Sequence, residues 1–180
     1  MKSIIFLITL SVSELFASID PSQRWLPIIP NVVADKYSPS QQEKLEGLLG
    51  YRVDINLEKR LLKIDSAILL SGFKKRPGSQ TWIGEHVGKF LFSATLTYRH
   101  SHDPRLKQLM DEMVLKYISY QLADGYMGTY LPKDYWSEWD VWAHKYCIIG
   151  LLNYYSLSGY KPALECAKKA ADLICNTFGD

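Results

Sequence analysis

Apolar and polar residues alternate with a helical period through most of the chain, from about residue 38 to the end. The clearest example follows Asp103-Pro104, where leucines, methionines and a valine recur every three or four residues and charged residues occupy the opposite side. Such a stripe predicts an amphipathic helix with one buried face. Asp as the cap and Pro at the first position give this helix a defined start. No convincing strand-type alternation is visible, so the pattern predicts an all-α protein.

The same pattern predicts six helices. Their approximate ranges are 38–49, 56–71, 83–99, a fourth beginning at Pro104, a fifth opened by Ser137, and 162–177. The stretch 147–152 inside the fifth helix is apolar all round, which predicts burial on every side. Ser137 and Asp140 have the spacing of a capping box at the start of that helix.

A weak internal repeat links the third and fourth helices to the fifth and sixth. Both pairs place an aromatic residue (Tyr98 or Tyr155) before a short turn, then a proline (Pro104 or Pro162), then a leucine. A buried helix followed by an amphipathic one predicts an inner and an outer helix in each repeat, as in an α/α toroid or solenoid. A closed toroid needs more hairpins, so we expect a partial toroid, truncated before closure: an incomplete domain or a fragment of a longer product.

The first residues have the features of a targeting segment. Lys2 precedes a short apolar run, and small residues near Ala17 offer a cleavage site. The run is too short to span a bilayer, so we expect a signal peptide at 1–17 and a secreted or periplasmic, extracytoplasmic protein with no membrane attachment after cleavage. A buried N-terminal strand or helix is the alternative, and the charge of Glu14 supports it.

Two segments follow the predicted signal peptide. Residues 18–37 contain three prolines and no helical pattern, which predicts an extended arm. Residues 38–180 hold all the predicted helices and would form the N-terminal part of an α/α toroid domain.

Net charge and cysteine content exclude several classes of function. The formal net charge is +2, and the largest basic cluster is 74–76, so we expect no nucleic-acid partner. The chain has 3 cysteines, an odd number, with no metal-type spacing. We therefore predict neither a disulfide framework nor a metal or other cofactor bound by this chain.

Aromatic residues are concentrated beside carboxylates and glycines between positions 124 and 146. An aromatic ring covers the apolar C–H face of a sugar, while nearby polar groups hold its hydroxyls. The mixture predicts a carbohydrate partner. A second polar segment, 82–89, carries two glycines that would let another backbone or a ligand approach closely.

Six residues are candidates for substrate binding: Glu85, His86, Asp124, Tyr126, Trp142 and His144. Each has a structural alternative. Glu85 could pair with Lys89 one helical turn away, and the loop after Asp124 could be a packed helix end. His144 could be a hydrogen-bonded core histidine, which is the commoner fate of a single buried histidine.

The order of several sequence words resembles a known family. The words are WIGEHVGK at 82–89, DGYMGTY at 124–130 and DVWAHKY at 140–146. From about Leu45 to Asp180 the chain resembles the N-terminal part of the catalytic domain of glycoside hydrolase family 127, the β-L-arabinofuranosidase-like proteins.

The resemblance implies an (α/α)6 toroid with a C-terminal β-rich portion that acts on sugars. In the family, a cysteine nucleophile works beside a zinc ion held by Glu and Cys, and a Glu is the acid/base. These residues fall beyond position 180, so the resemblance gives this chain no catalytic or metal residue, and zinc belongs to a full-length protein. We do not assign the nucleophile role to the cysteines here (Cys147, Cys166 and Cys175).

The sequence therefore predicts the front of a glycoside hydrolase that removes terminal sugars such as β-L-arabinofuranosides. We expect it to be inactive alone, with the remainder of the same domain as its partner. The alternative is a non-catalytic helical module that binds carbohydrate or protein. A polysaccharide lyase is a weaker possibility, because the net charge is near neutral and the motif segments contain few arginines.

Overall fold

The computed structural model describes residues 45–179, and the regular structure in that range is helical. The α-helices are α1 (Gly47–Lys59), α2 (Ser66–Lys74), α3 (Glu85–Ser101), α4 (Pro104–Ser119), α5 (Asp140–Ser158) and α6 (Lys161–Phe178). Short 3-10 turns occupy Leu61–Lys63, Thr81–Gly84 and Pro132–Asp134. These 135 or so residues contain no strand, which confirms the all-α prediction for them.

Two predictions concern residues outside that range. The signal peptide (1–17) and the extended arm (18–37) lie outside the described residues, as does most of the first predicted helix. Between residues 45 and 179 no helix is both long enough and apolar enough to cross a membrane.

The predicted repeat forms two helical hairpins, α3–α4 and α5–α6. In each hairpin a residue in the left-handed conformation ends the first helix: His102 has φ 51° and Gly159 has φ 68°. Asp103 then caps α4, because its carboxylate accepts a hydrogen bond from the Arg105 N–H at 2.8 Å. The two turns thus stop one helix and start the next within two residues.

The hydrophobic core lies between a layer of α3 and α5 and a layer of α4 and α6, with α2 covering one end. Side chains from all five helices are buried there, including Leu70, Phe73, Leu91, Met110, Val114, Tyr117, Leu151 and Ala167. A fully buried apolar side chain of this size contributes about 1.5–3 kcal/mol relative to exposure. The amphipathic stripe of α4, described from the sequence, supplies one face of this core.

Helices α3 and α5 touch backbone to backbone at two glycines. A Cβ atom built on Gly88 would lie 2.0 Å from the carbonyl oxygen of Tyr146, and one built on Gly150 would lie 2.7 Å from the Gly88 Cα. No side chain fits at either position. Gly88, the second glycine of the WIGEHVGK segment, therefore allows the backbone of α5 to approach α3 closely.

The predicted helix 56–71 is wrong as a single element. Helix α1 ends at Lys59, a 3-10 turn follows, and α2 begins at Ser66. The break is at Asp65, whose carboxylate accepts hydrogen bonds from the N–H groups of Ala67 (2.8 Å) and Ile68 (3.2 Å). An Asp side chain that satisfies free N–H groups starts a new helix, and here it overrides a continuous apolar pattern.

Two expectations for α5 are also corrected. The helix is not buried on every side, because Leu152 is 40% exposed and Trp142 is 41% exposed. The capping box does not form, because the Asp140 carboxylate accepts hydrogen bonds from Tyr126 and Trp136 rather than from the Ser137 N–H. Ser137 instead donates its hydroxyl to the carbonyl of Asp134. The polar residues at the start of α5 serve tertiary contacts.

The glycine contact makes a stability prediction. Gly88→Ala should lower the free energy of unfolding by about 3 kcal/mol or more, because the added methyl group would force α3 and α5 apart. Urea denaturation followed by circular dichroism measures this change. Gly159→Ala is the control: its Cβ meets no atom within 4 Å, so the loss should be only the roughly 1–2 kcal/mol of a strained left-handed alanine. Equal losses in the two variants would contradict the close-contact interpretation.

Candidate functional site

A cavity of about 350 Å³ opens where the first turns of α3 and α5 meet. Its walls are Trp82, Glu85, Lys89, Trp139 and Trp142. We call it the aromatic cavity. The three indole rings keep substantial exposed surface, with Trp139 58% exposed. Exposed tryptophans around one carboxylate and one ammonium group form a surface that a small polar ligand with an apolar face can bind.

Helical spacing brings the wall residues together. Trp82 lies in the 3-10 turn that leads into α3, and it is three positions from Glu85, which is four from Lys89, so the three share one face. Trp139 and Trp142 are one turn apart at the start of α5, and their rings meet edge to face with centroids 6.2 Å apart. The close glycine contact between the two helices places these faces side by side.

Glu85 holds the two walls of the cavity together. Its carboxylate accepts a hydrogen bond from Trp142 Nε1 and lies 2.8 Å from Lys89 Nζ. The Lys89 pair is the i,i+4 pair named from the sequence as an alternative. Because the same carboxylate also bonds an indole on α5, Glu85 fixes the orientation of the cavity wall as well as balancing a lysine.

Two lysines pack their ammonium groups against aromatic rings beside the cavity. Lys145 Nζ lies 3.4 Å from the centroid of the Trp142 ring and 4.4 Å from that of Tyr146. Lys89 Nζ lies 4.7 Å from the Tyr146 centroid. Cation–π contacts of this kind contribute about 0.5–1 kcal/mol at exposed sites, so the Lys145 contact helps to hold Trp142 in place.

A buried network anchors the loop before α5. Asp140 has no exposed surface, and its carboxylate accepts hydrogen bonds from the Tyr126 hydroxyl (2.9 Å) and the Trp136 N–H (2.9 Å). Burial and the neighbouring carboxylate raise the pKa of Tyr126 well above its usual range, so its hydroxyl stays protonated and donates. Tyr126 also stacks on Tyr135 with ring centroids 3.7 Å apart.

His144 belongs to the same network. Its Nε2 accepts a hydrogen bond from the Met127 N–H at 3.1 Å, so that nitrogen carries no proton. Nδ1 carries the proton and donates it to the Asp140 carbonyl oxygen at 2.9 Å. The ring has no exposed surface. This is the hydrogen-bonded core histidine that the sequence left as an alternative, and it joins the 124–130 loop to α5.

The 132–139 segment is held in an unusual backbone conformation. Trp136 and Glu138 have φ values of 63° and 46°, in the left-handed region that costs a non-glycine residue of order 1–3 kcal/mol. The bond from the Trp136 N–H to Asp140 offsets part of that cost. The strained turn directly precedes Trp139, and it thereby sets where that ring enters the aromatic cavity.

The structure distributes the six candidate residues among different places. Glu85 and Trp142 line the aromatic cavity. His86 lies beside them, with its ring centroid 5.3 Å from that of Trp82. Asp124 is exposed, and its carboxylate accepts a hydrogen bond from the Tyr126 N–H at 2.9 Å. Tyr126 and His144 are fully buried. Sugar binding by all six stays a prediction. Of the six, Glu85, His86 and Trp142 lie close together at an open surface.

Three wall residues were not among the candidates: Trp82, Lys89 and Trp139. Their helical spacing from the candidates Glu85 and Trp142 is the sequence feature that identifies them. Trp82 and Lys89 flank Glu85 at helical distances, and Trp139 precedes Trp142 by one turn. Helical periodicity applied to polar and aromatic residues together identifies this face.

The cysteines and polar residues in the described range fit neither a nucleophile nor a zinc site. Burial raises the pKa of Cys147 and of Cys166 to about 12, so both are protonated thiols at neutral pH. Cys175 is exposed at the end of α6. No group of three or more His, Cys, Asp or Glu side chains between residues 45 and 179 is arranged to hold a metal ion.

The buried network makes the second prediction. Asp140→Asn should lower the free energy of unfolding by about 2 kcal/mol, because the amide replaces one buried carboxylate oxygen with an NH2 donor and leaves a neutral, weaker acceptor for Tyr126 and Trp136. Chemical denaturation measures the loss, and Asp172→Asn, an exposed change on α6, is the control with an expected effect close to zero. Near-ultraviolet circular dichroism should also change, since Trp136 and Tyr126 lose their shared anchor. An Asp140→Asn variant as stable as the control would contradict this role.

Both the sequence and the fold of this chain are similar to those of known proteins. The sequence profile of the β-L-arabinofuranosidase GH127 catalytic domain matches residues 34–180. A GH127 β-L-arabinofuranosidase from Geobacillus stearothermophilus T6 has a similar structure, with a TM-score of 0.55, 20% identity, and coverage of 75% of this chain and 24% of that chain. The GH127 β-arabinofuranosidase BT3674 gives a TM-score of 0.58 at 15% identity, covering 74% of this chain and 26% of its own. A search of curated proteins found no match.

The chain thus spans about a quarter of the length of these two solved structures. At such identities the structural likeness concerns the fold, and it confirms that the helical hairpins form part of an α/α toroid. The profile match covers most of the chain and confirms the resemblance carried by the three sequence words. This chain belongs to the GH127 catalytic-domain family of β-L-arabinofuranosidase-like proteins.

Proposed function

We propose that this chain forms one wall of the carbohydrate-binding cleft of a glycoside hydrolase acting on terminal sugars such as β-L-arabinofuranosides. The observation that carries the proposal is the aromatic cavity, where three tryptophans surround the Glu85–Lys89 pair. The two similar structures are of β-L-arabinofuranosidase and β-arabinofuranosidase proteins, which makes a furanoside the first substrate to test.

The cavity has the two kinds of surface that a sugar ring needs. The indole planes of Trp139 and Trp142 meet at 71°, so the two rings form a corner rather than a flat wall. A sugar ring in that corner would place its C–H face on an indole and point its hydroxyls toward Glu85 and Lys89. Glu85 accepts hydrogen bonds and Lys89 donates them, so the pair can satisfy both roles of a hydroxyl group.

In this proposal the chain's residues bind and orient sugar, and they carry no bond-breaking step. The cavity holds one carboxylate, whereas hydrolysis through paired acids needs two at a set separation. The buried thiols are protonated and far from being activated nucleophiles. The family's zinc does not fit the described residues, so no step is assigned to it here.

The cellular location is part of the proposal. The targeting features of residues 1–17 favour export to a secreted or extracytoplasmic location, where glycans are accessible. The alternative function, a non-catalytic helical module, rests on the same cavity and differs only in lacking turnover. Binding measurements therefore test the shared feature, and hydrolysis measurements separate the two.

Binding by the aromatic cavity is the third prediction. Trp142→Ala should weaken binding of an arabinofuranose oligosaccharide at least tenfold, because the corner loses one ring face and the hydrogen bond to Glu85. Isothermal titration calorimetry measures the dissociation constant. Phe92→Ala is the matched control, since Phe92 is an exposed aromatic on α3 that does not line the cavity. Equal affinities for the two variants would remove the cavity from the proposed site.

Turnover is the fourth prediction. The purified 180-residue chain should release no 4-nitrophenol from 4-nitrophenyl arabinofuranoside above the buffer rate, because its cavity lacks a second carboxylate and an activated thiol. A cooperative thermal transition in the same sample shows that the protein is folded during the assay. Release that exceeds the buffer rate and disappears in Glu85→Gln would contradict the binding-only role.

A further inference from the structure

A second cavity of about 350 Å³ adjoins the aromatic cavity and has a different chemistry. Its polar lining consists of Arg60, His86 and Lys89, and its apolar floor includes Leu61 and Phe90 with two further aliphatic residues. We call it the basic cavity. Leu61 and Phe90 are buried, so the floor is solid hydrophobic core, while the basic groups stand at the rim.

The charges around the basic cavity are not balanced within the described residues. Among residues 45–179 no acidic side chain lines it, and the one hydrogen bond that the Arg60 guanidinium donates there goes to the neutral Asn56 side chain, at 3.3 Å. Glu58 is engaged by Arg105, and Asp65 caps α2.

Glu85 pairs with two of the three rim residues. It lies 2.8 Å from Lys89 Nζ and 3.7 Å from His86 Nε2. Two permanent cations and one carboxylate leave one positive charge at the rim when His86 is neutral. An apolar floor below one net positive charge is suited to a ring that carries a single negative charge.

The two cavities share a wall. Lys89 lines both, and the consecutive residues Glu85 and His86 face the aromatic and the basic cavity respectively. Two linked sugar units could therefore occupy the two cavities with Lys89 between them. Arginine is well suited to the outer position, because its planar fork can donate two parallel hydrogen bonds to one acidic group.

We propose that the basic cavity binds an anionic sugar unit, one bearing a single carboxylate or sulfate ester, next to the sugar held in the aromatic cavity. The proposal rests on the proposed carbohydrate function and extends it to the substrate class: an acidic rather than a neutral glycan. The acidic group would bond to Arg60 and Lys89, and the sugar ring would lie over Leu61 and Phe90. It concerns binding, and no reaction step is assigned to these residues.

The test compares glucose-type sugars that carry a charged or a neutral group at C6. Ligand-observed NMR on the full 180-residue chain gives dissociation constants for methyl glucuronide and for the neutral methyl glucoside, and glucose 6-sulfate shows which acidic group is preferred. We expect the charged sugars to bind about fivefold more tightly than the neutral one, as expected for an exposed charge pair. Arg60→Gln should abolish that preference. Lys63→Gln, which removes an exposed lysine three positions away and outside the cavity lining, should retain it.

Each outcome decides a different point. A preference for either anionic sugar that Arg60→Gln removes and Lys63→Gln keeps supports the proposal and identifies the acidic group. Equal binding of charged and neutral sugars, with binding still weakened by Trp142→Ala, overturns the anionic subsite and leaves the carbohydrate function standing. If none of these sugars binds the folded wild-type chain but the arabinofuranose oligosaccharide does, the anionic subsite alone is overturned. If the oligosaccharide also fails to bind, both proposals are overturned.

Discussion

The contact of α3 with α5 at Gly88 and Gly150 is the constraint on which the rest of this structure depends. Because neither position has room for a methyl group, only glycine at both positions lets the two helix backbones come into direct contact. Their first turns then present one shared face, where the Trp142 indole of α5 donates a hydrogen bond to the Glu85 carboxylate of α3. The cost of two helical glycines, about 1 kcal/mol each relative to alanine, is offset by this packing and by the face that it creates.

Polar residues at the start of α5 form hydrogen bonds to other segments of the chain. Asp140, a candidate helix cap by spacing, is buried and binds Tyr126 and Trp136, while His144 binds the backbone of the 124–130 loop. A fully satisfied buried network of this kind specifies one loop conformation, because each broken bond would leave a buried group unpaired. The network also shapes the surface, since the anchored loop positions Trp139 at the aromatic cavity.

The electrostatics of the surface follow from a small number of side chains. Lys89 and Lys145 are held against aromatic rings, and Glu85 ties Lys89 to Trp142. These contacts fix charged groups on rigid helices rather than on mobile loops, which favours oriented binding over diffuse attraction. The adjoining basic cavity, with Arg60 at its rim, gives the same wall a second character. The wall therefore changes from aromatic to basic over one helical turn.

Sequence alone determined the helical class, the hairpin repeat and the family, because periodicity, caps and ordered sequence words are local properties of the chain. It also located Glu85 and Trp142, two residues of the aromatic cavity. The tertiary structure decided the rest. Asp65 caps α2 and so ends the continuous helix that the apolar pattern predicted. Tyr126 and His144 are buried because their hydrogen-bond partners lie on other segments of the chain. A polar side chain is exposed to a ligand only if no other segment of the protein binds it, and the packing of the helices determines which segments come close enough.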